Sequence, residues 1–300
     1  MAARALIAMA LQPRPTFPHP SSTLLSNSSQ PTTIPPLIQL SDQPTSLEWS
    51  LLIACGAFWT LTYLLLILNT YRTRTTGMPY FALALNLTWE LLFAFITPHP
   101  YPQRAIDLLW FVLDCVILLQ TLHYYPYHSQ PLHMSYTTFL LATAATLATS
   151  LALNWSWTVT LNDTVGAYSA FVSNVLMSVS FVAMYYGRQP RGAGQSVWVG
   201  MSKLGGTACS SIAFYLLSSR QNALLNFCFV AVFAWDALYV ALLVYHWLQQ
   251  KGGEEETQRQ QQVEPWLRGD AAMIVSHAVL AEPSASVWRQ QNYRALRHPS

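Results

Sequence analysis

The sequence predicts an all-α membrane protein, folded as a bundle of seven transmembrane helices. Of its 300 residues, 52% are hydrophobic and only 9% are charged, whereas a soluble domain carries roughly a quarter charged residues. So few charges leave too little polar surface to face water on all sides. The apolar residues also fall into seven runs, each close to the roughly 20 residues that a helix needs to cross a bilayer core about 30 Å thick.

The seven predicted spans follow one another closely, so residues 47–248 are expected to form one compact domain. Short polar or Pro- and Gly-containing connections separate the spans. Helices are favoured because backbone groups in lipid must hydrogen-bond within their own segment, and the alternating pattern of a membrane barrel is missing. The predicted spans are 47–68, 79–97, 105–122, 133–153, 165–186, 196–217 and 224–247.

The two flanks of this domain differ from it in composition. Residues 1–46 are rich in Pro, Ser and Thr, which predicts a disordered N-terminal tail. The apolar pattern stops after residue 248, and residues 249–300 are predicted to form a polar, mostly disordered C-terminal tail. With a net charge of +2 and no dense basic patch, the chain is not expected to bind nucleic acid.

The distribution of basic residues predicts the orientation of the bundle, because the cytoplasmic connections of membrane proteins are enriched in Lys and Arg. A lumenal N-terminus and a cytoplasmic C-terminus leave only Arg104 and Arg220 on the lumenal side near the membrane. The cytoplasmic side then carries Arg72, Arg74, Arg188, Arg191 and Lys251. Glycosylation sequons at Asn154 and Asn162 fall in the predicted fourth connection, which is lumenal in this orientation. We therefore expect a multi-pass glycoprotein of the endoplasmic reticulum membrane.

Four ionisable residues lie inside the predicted spans: Glu90, Asp114, Lys203 and Asp236. A charge near the bilayer centre costs several kcal/mol, so such residues face the bundle interior and are candidates for function. A helix rises by roughly 1.5 Å per residue, which places the three carboxyls near the midplane. Lys203 lies nearer the cytoplasmic side.

Polar and aromatic residues share the helical faces of these carboxyls. At helical spacing of three or four residues lie Asn86, Trp110, Phe233 and Tyr239. A carboxyl in a low-dielectric interior can stay protonated near neutral pH and donate its proton to an apolar substrate. Aromatic rings can then stabilise the resulting cation.

Each of these residues also has a structural interpretation. A single intramembrane carboxyl can be a hydrogen-bonding anchor between helices, and an aromatic stripe can be simple packing. Lys203 is favoured as a structural group that pairs with a carboxyl, with Asp114 as one possible partner, or that extends towards the interface.

Three segments resemble the fungal paxilline-type (PaxB-like) integral-membrane terpene cyclases. They are Asn86-Leu-Thr-Trp-Glu90, Trp235-Asp-Ala-Leu-Tyr239 and the stretch Trp198–Thr207, in which Gly205 and Gly206 follow Lys203. The likeness extends over the whole predicted bundle, residues 47–248.

The resemblance implies that Glu90 and Asp236 drive a cyclisation. A terminal epoxide, or less often an alkene, of a prenyl chain on an aromatic or polyketide head would be protonated, and rings would close through carbocations. Such enzymes serve meroterpenoid and indole-diterpene pathways, so other membrane enzymes of a pathway are possible partners. Supporting or substrate-binding roles are expected for Asn86, Trp89, Trp110, Asp114, Lys203, Phe233 and Tyr239. Glu90 is favoured as the proton donor, but the two roles could be exchanged.

No cofactor or metal is expected. The chain has no Asp-Asp-x-x-Asp motif to hold magnesium on a diphosphate, no Asp-x-Asp-Asp acid motif, no Gly-rich phosphate loop and no His cluster. The cyclisation also involves no redox change.

Two other functions fit a seven-helix chain less well. A transporter built from a three-plus-three helix repeat would carry Pro-Gln motifs in its spans, whereas the one Pro-Gln pair, Pro102-Gln103, lies in a predicted connection. A retinal protein would need a lysine in the seventh helix, where this chain has Asp236. The small-molecule transporter remains the alternative, and the chain length and head group of a cyclase substrate stay open.

Overall fold

The computed structural model describes residues 44–128, 134–188, 191–218 and 222–267. Residues 1–43 and 268–300, which hold most of the two predicted tails, lie outside the described residues. Seven α-helices follow one another in the described part, and a turn of π-helix, Leu92–Ile96, continues the second. They are α1 (Ser46–Thr73), α2 (Tyr80–Leu91), α3 (Gln103–His128), α4 (Tyr136–Thr160), α5 (Ala167–Gly187), α6 (Val197–Leu217) and α7 (Ala223–Leu267).

Five of these helices are long and apolar enough to cross a membrane, namely α1, α3, α4, α5 and α7. The second helix and its π turn form a shorter apolar segment, Tyr80–Ile96. Helix α6 has the length of a span, but Ser, Thr, Gly and Lys interrupt its apolar residues. The predicted class, an all-helical membrane protein, is confirmed; the count of seven spans and the orientation stay predictions.

The second helix departs from the continuous span predicted for 79–97. The Leu92 amide still bonds to the carbonyl of Thr88, four residues back, whereas the Thr97 amide donates to the carbonyl of Leu92 over 2.8 Å, a five-residue step. The His99 amide donates to the carbonyl of Phe93 over 2.9 Å. Single π turns are frequent at functional sites, and this one begins two residues after Glu90.

Helix α4 is longer than the predicted span 133–153, and this corrects the placement of one sequon. Asn154 does not lie in a connection, because α4 continues to Thr160. Its side chain is fully buried and donates to the Leu85 carbonyl over 3.0 Å and to Thr88 Oγ1 over 3.1 Å. Asn154 therefore joins α4 to α2 and offers no site for a glycan. Asn162 lies in the connection that follows, as predicted.

Helix α7 extends from Ala223 to Leu267, well beyond the predicted span 224–247. Residues 249–262 are rich in Gln and Glu, which are good helix formers even without an apolar face. The chain divides into two compact units, Met1–Tyr245 and His246–Ser300. The second unit contains the exposed polar part of α7.

Within the first unit, α2 is the central helix and packs against α3, α4 and α5, while α1 packs along α6. Close approach of α1 and α6 depends on Gly206, since a Cβ atom there would lie 2.9 Å from Trp59 Cδ1. The buried core combines residues of α1, α2, α3, α5, α6 and α7, including Tyr63, Leu66, Leu83, Ile117, Met177, Phe181, Val199, Tyr239 and Leu243.

Candidate active site

A cluster of polar side chains surrounds Glu90 in the interior of the bundle. Glu90 is 1% exposed, and its Oε1 accepts hydrogen bonds from Tyr63 Oη at 2.8 Å and from Asn86 Nδ2 at 3.0 Å. Asn86 Nδ2 also donates to Asp114 Oδ2 at 2.8 Å and contacts the Tyr63 hydroxyl. Helices α1, α2 and α3 thus each contribute to one network, and we call these four residues the Glu90 cluster.

Local helix geometry places the two α2 residues of this cluster side by side. Asn86 and Glu90 are four residues apart, so they share one face of α2. The second oxygen of each carboxyl, Glu90 Oε2 and Asp114 Oδ1, is buried without a hydrogen-bond partner among the described residues. Buried polar atoms are nearly always paired, and the two carboxyls lie within hydrogen-bonding range of each other, so one proton on either carboxyl would pair them.

Aromatic rings border the Glu90 cluster. The Tyr63 ring lies 6.2 Å from the Trp110 ring and 6.3 Å from the Trp59 ring, measured between centroids. Trp110 is fixed by a hydrogen bond of 3.0 Å from Nε1 to Thr60 Oγ1. Such rings present electron-rich faces that attract cations.

A second buried cluster joins α5, α6 and α7 around an ion pair. Lys203 Nζ lies 2.5 Å from Asp236 Oδ1, and neither residue is exposed. The ammonium group also donates to Ser178 Oγ at 2.7 Å and approaches Asn174 Oδ1 at 3.5 Å. Thr207 Oγ1 donates to the other oxygen of Asp236 at 2.8 Å. Both oxygens of Asp236 are therefore engaged, and its partner is Lys203.

Aromatic side chains lie beside the ion pair, and one of them also approaches the Glu90 cluster. The Lys203 ammonium is 5.7 Å from the centroids of the Trp59 and Phe181 rings. The Phe181 ring in turn packs against Tyr239 at 5.1 Å. Trp59 contacts Lys203 on one side and Tyr63 on the other, so a ring from α1 connects the two clusters.

The structure brings most of the sequence-predicted site residues into these two clusters. Glu90, Asn86, Asp114 and Trp110 lie in or beside the first cluster, and Lys203, Asp236 and Tyr239 in or beside the second. The possible pairing of Lys203 with Asp114 is not found. Two further predicted residues, Phe233 and Trp89, lie elsewhere.

Phe233 and Trp89 do not face the clusters. Phe233 is 53% exposed and Tyr239 is 1% exposed, although both are three residues from Asp236. The two lie about 60° to opposite sides of Asp236 around α7, and the side of Phe233 is turned away from the bundle. Trp89 donates from Nε1 to Ser169 Oγ at 3.0 Å and to the Gly166 carbonyl at 3.2 Å. It thus fastens α2 to the start of α5.

Sequence reasoning missed three buried residues: Tyr63 of the Glu90 cluster, and the pair formed by His99 and Asp107. Tyr63 lies four residues after Trp59 in an apolar span, and this spacing on one helical face was the available signal. His99 Nδ1 lies 2.7 Å from Asp107 Oδ2, and His99 Nε2 lies 3.2 Å from the Val165 carbonyl oxygen. His99 falls in a predicted connection, where histidine is common, so only the fold reveals this pair.

The connection between α4 and α5 carries another buried carboxyl, Asp163. Its oxygens accept hydrogen bonds from the Ala167 amide at 2.9 Å and the Ser169 amide at 3.0 Å, which caps α5. Burial raises the pKa of the Asp163 carboxyl above its ordinary value, although these hydrogen bonds lower it. Asp163 therefore has a structural role, because it caps the N-terminus of α5.

Among the described residues, no three His, Cys, Asp or Glu side chains come together as a metal ion would require. The described bundle instead concentrates two carboxyls, a lysine–aspartate pair and several aromatic rings in its apolar interior. Fold and site together define a helical integral membrane protein with carboxyl groups, a lysine and aromatic rings buried in it.

Comparison with known protein families identifies the family of this chain. The model of the Pyr4-like transmembrane terpene cyclases matches residues 38–251, so the chain belongs to that family. The expectation of a fungal integral-membrane terpene cyclase family is thereby confirmed.

Curated relatives carry the same description. The terpene cyclase pyr4 of Aspergillus fumigatus is 28% identical over 51% of this chain and 64% of its own length. The Pyr4-family terpene cyclase mfmH of Annulohypoxylon moriforme is 29% identical over 46% of this chain and 58% of its own. The terpene cyclase ascF of Acremonium egyptiacum is 30% identical over 34% and 37%. The matched segments thus cover less than two thirds of each relative. No solved structure matches the chain.

Proposed function

We propose that this protein is a terpene cyclase that protonates a terminal epoxide, or an alkene, of a prenylated meroterpenoid or indole-diterpene precursor. Ring closure then proceeds through carbocations in the apolar interior of the bundle. Membership of a family of transmembrane terpene cyclases and the names of its relatives support this activity. They also favour a cyclase over the small-molecule transporter.

The observation that carries the proposal is the unequal use of the two oxygens of Glu90. Oε1 accepts hydrogen bonds from Tyr63 and Asn86, whereas no donor group among the described residues reaches Oε2, and the Asp114 carboxyl lies within hydrogen-bonding range of the Glu90 carboxyl. Oε2 is therefore available to hold the proton that is transferred to the substrate. Hydrogen bonds from Tyr63 and Asn86 would stabilise the carboxylate that remains, because donors to a charged oxygen are stronger than donors to a neutral one. This favours Glu90 as the general acid.

Asp236 is suited to a different task. Lys203 and Thr207 donate to its two oxygens, an arrangement that favours a carboxylate over a proton donor. Lys203 neutralises the pair as a whole, so stabilisation of positive charge that develops on the substrate would come from the carboxylate end of the Lys203–Asp236 dipole. The proposed division of roles therefore gives the proton to Glu90 and charge stabilisation to Asp236.

The rings beside the clusters support the cationic course of the reaction. Trp59, Tyr63 and Trp110 border the Glu90 cluster, and Trp59 also faces Lys203. Aromatic faces attract a cation by their quadrupole without providing a nucleophile that would end the cyclisation early. A prenyl chain positioned along these rings would meet the acid at one end and the charge of Asp236 at the other.

We further propose that all seven helices span the endoplasmic reticulum membrane, with the N-terminus in the lumen and the C-terminus in the cytoplasm. The basic residues of the connections that this orientation makes cytoplasmic support it, namely Arg72, Arg74, Arg188 and Arg191, as does Lys251 in the part of α7 that follows the predicted span 224–247. Helix α6 would span in spite of its polar residues because Ser202, Lys203, Thr207 and Ser210 are buried within the bundle.

The activity is tested by product formation in microsomes from a yeast host that expresses the full chain. Acceptors bearing an epoxidised farnesyl or geranylgeranyl chain are supplied, and products are identified by mass spectrometry. Glu90→Gln and Asp236→Asn remove the acid and the fixed charge with little change in shape. Glu255→Gln, in the exposed part of α7, is the matched control.

Cyclised product from wild type and Glu255→Gln, with product lost in both site variants at equal expression, is the expected result. Cyclised product from both site variants would refute the roles of Glu90 and Asp236. If the folded wild type leaves every acceptor unchanged, the proposed substrate class is wrong.

A further inference from the structure

Asp114 is a second buried carboxyl beside Glu90. Asp114 in α3 is fully buried, and Glu90 in α2 is 1% exposed. One atom connects the two groups, because Asn86 Nδ2 donates to Glu90 Oε1 at 3.0 Å and to Asp114 Oδ2 at 2.8 Å. The remaining oxygens, Glu90 Oε2 and Asp114 Oδ1, are buried and reached by no donor among the described residues. The carboxyls lie within hydrogen-bonding range of each other, so a hydrogen on one of these oxygens would join them.

No cation among the described residues balances the charge of these two carboxyls. The ion pairs in that part of the chain join His99 to Asp107 and Lys203 to Asp236. The donors that reach the two carboxyls are one hydroxyl and one amide, and both are neutral. Two carboxylates that share an apolar site repel each other, so the pair holds at least one proton.

The proton transfer assigned to Glu90 favours two protons on the pair before the reaction. If the pair held only one, its transfer to the substrate would leave two carboxylates side by side without a counter-ion. If each carboxyl holds one, the transfer leaves a single carboxylate on Glu90 and a hydrogen on Asp114 Oδ1. That hydrogen would bond to Glu90 Oε2, the oxygen that no other described donor reaches.

A hydrogen bond from Asp114 to Glu90 becomes stronger as the Glu90 proton leaves. Before the transfer, Oε2 is the hydroxyl oxygen of a carboxylic acid and a weak acceptor. After the transfer it belongs to a carboxylate, and hydrogen bonds to a charged acceptor are about twice as strong as those between neutral groups. An interaction that strengthens in the transition state raises kcat, whereas one that is equally strong in the bound substrate complex does not.

We propose that Asp114 stays protonated and is a positioning residue, which donates a hydrogen bond to Glu90 Oε2 while Glu90 protonates the substrate. This inference rests on the proposed function, in which Glu90 is the acid. The O–H bond of Glu90 breaks, a bond forms from its hydrogen to the epoxide oxygen, and the C–O bond of the epoxide opens to leave the carbocation. The final cation loses one proton and the Glu90 carboxylate gains one, so the cycle is balanced and Asp114 keeps its hydrogen.

Infrared difference spectroscopy of the purified full-length protein in lipid nanodiscs near neutral pH tests the number of protons. Asp114→Asn and Glu90→Gln are each compared with the wild type in ordinary and in heavy water. Glu255→Gln, at an exposed position of α7, is the matched control. We expect each site variant to lose intensity in the C=O band of a protonated carboxyl, which shifts in heavy water. The control is expected to lose only carboxylate bands.

Steady-state kinetics with an acceptor that bears an epoxidised farnesyl chain tests the hydrogen bond. Asp114→Leu is similar in size but has no donor. In Asp114→Asn, the amide oxygen can accept from Asn86 and the amide nitrogen can donate to Glu90. We expect Asp114→Leu to lower kcat by about 10- to 100-fold with KM within about twofold of wild type, and Asp114→Asn to regain most of that loss. Glu255→Gln is expected to leave both constants unchanged.

Four results would overturn the proposal. Asp114→Asn removes only carboxylate bands; Asp114→Leu has the kcat of the wild type; KM rises while kcat is unchanged; or Asp114→Asn is inactive although thermal unfolding shows that it is folded. The first and last need only the asparagine variant, so they decide even if Asp114→Leu does not fold. If the wild type forms no product, the proposed activity is wrong, whereas the infrared spectra still show whether Asp114 holds a proton.

Discussion

At the scale of single residues, the Tyr63 hydroxyl is the donor that distinguishes the two oxygens of Glu90. Tyr63→Phe removes that hydrogen bond and keeps the ring that packs between Trp59 and Trp110. A hydrogen bond to a charged acceptor contributes roughly 1.5–3 kcal/mol, so we expect kcat to fall by about 10- to 100-fold with little change in thermal stability.

The control for this prediction is Tyr80→Phe. Its hydroxyl is also buried, but it has no hydrogen-bond partner among the described residues, so its removal should leave kcat near the wild-type value. Microsomal rates normalised to expression measure both effects. Equal rates for Tyr63→Phe and wild type would mean that Glu90 works without this donor.

The second prediction at the scale of residues concerns Lys203 and Asp236. A protein that keeps both charges of the buried pair is expected to differ in stability from one that keeps a single charge. Lys203→Met leaves a buried carboxylate without its counter-ion, and breaking such a pair costs about 3–5 kcal/mol. The double variant Lys203→Met with Asp236→Leu removes both charges and is expected to recover most of that loss. Activity is expected to be absent in both variants, because the fixed negative charge is disturbed or removed.

Thermal unfolding in detergent, followed by tryptophan fluorescence, measures the two stabilities, and product formation measures the activity. If the double variant is as unstable as Lys203→Met, the loss comes from packing of the lysine side chain and not from an unpaired charge. If the double variant is active, Asp236 has no role in the reaction.

At the scale of elements, the contact between α1 and α6 determines where Trp59 lies relative to Lys203. A methyl group at position 206 would come within 2.9 Å of Trp59 Cδ1 and 3.0 Å of its Nε1. Overpacking of a tight interface typically costs about 1–3 kcal/mol. Gly206→Ala is therefore expected to lower the thermal unfolding temperature and the rate of product formation together.

Gly56 provides the matched control on α1. No atom lies within 4 Å of the Cβ position there, and alanine is a better helix former than glycine by about 1 kcal/mol. Gly56→Ala should therefore keep or raise the stability. A tolerated Gly206→Ala, with unchanged unfolding temperature and activity, would show that α1 and α6 can move apart without consequence.

The helices also show which parts of the structure could be predicted from the sequence. Run lengths located all seven helices, because hydrophobicity over about 20 residues is a strong local signal. The π turn after Glu90 and the continuation of α4 through Asn154 were missed, since both depend on partners in other helices. Ionisable residues in apolar runs led to Glu90, Asp114, Lys203 and Asp236. Which of these residues contact each other could not be predicted, because the spacing of residues along the chain does not show which helices pack side by side.

At the scale of the whole molecule, the functional features described above all belong to the unit Met1–Tyr245. The family model covers residues 38–251, and the described side chains of 251–253 and 255–261 in α7 are all exposed. We therefore expect a chain cut to residues 38–251 to insert, fold and cyclise at a rate within about twofold of the full chain, because burial in the bundle supplies its stability.

The matched control for this truncation is a chain that ends at residue 235. It lacks Asp236, so Lys203 loses its counter-ion and Thr207 its acceptor; both stability and product formation should be lost. Expression, detergent extraction as a single species and product yield in microsomes are measured side by side for the three chains. If the 38–251 chain folds but makes no product, the segments outside 38–251 take part in the reaction. The two clusters would then be insufficient for catalysis, and the site would have to be extended beyond the bundle.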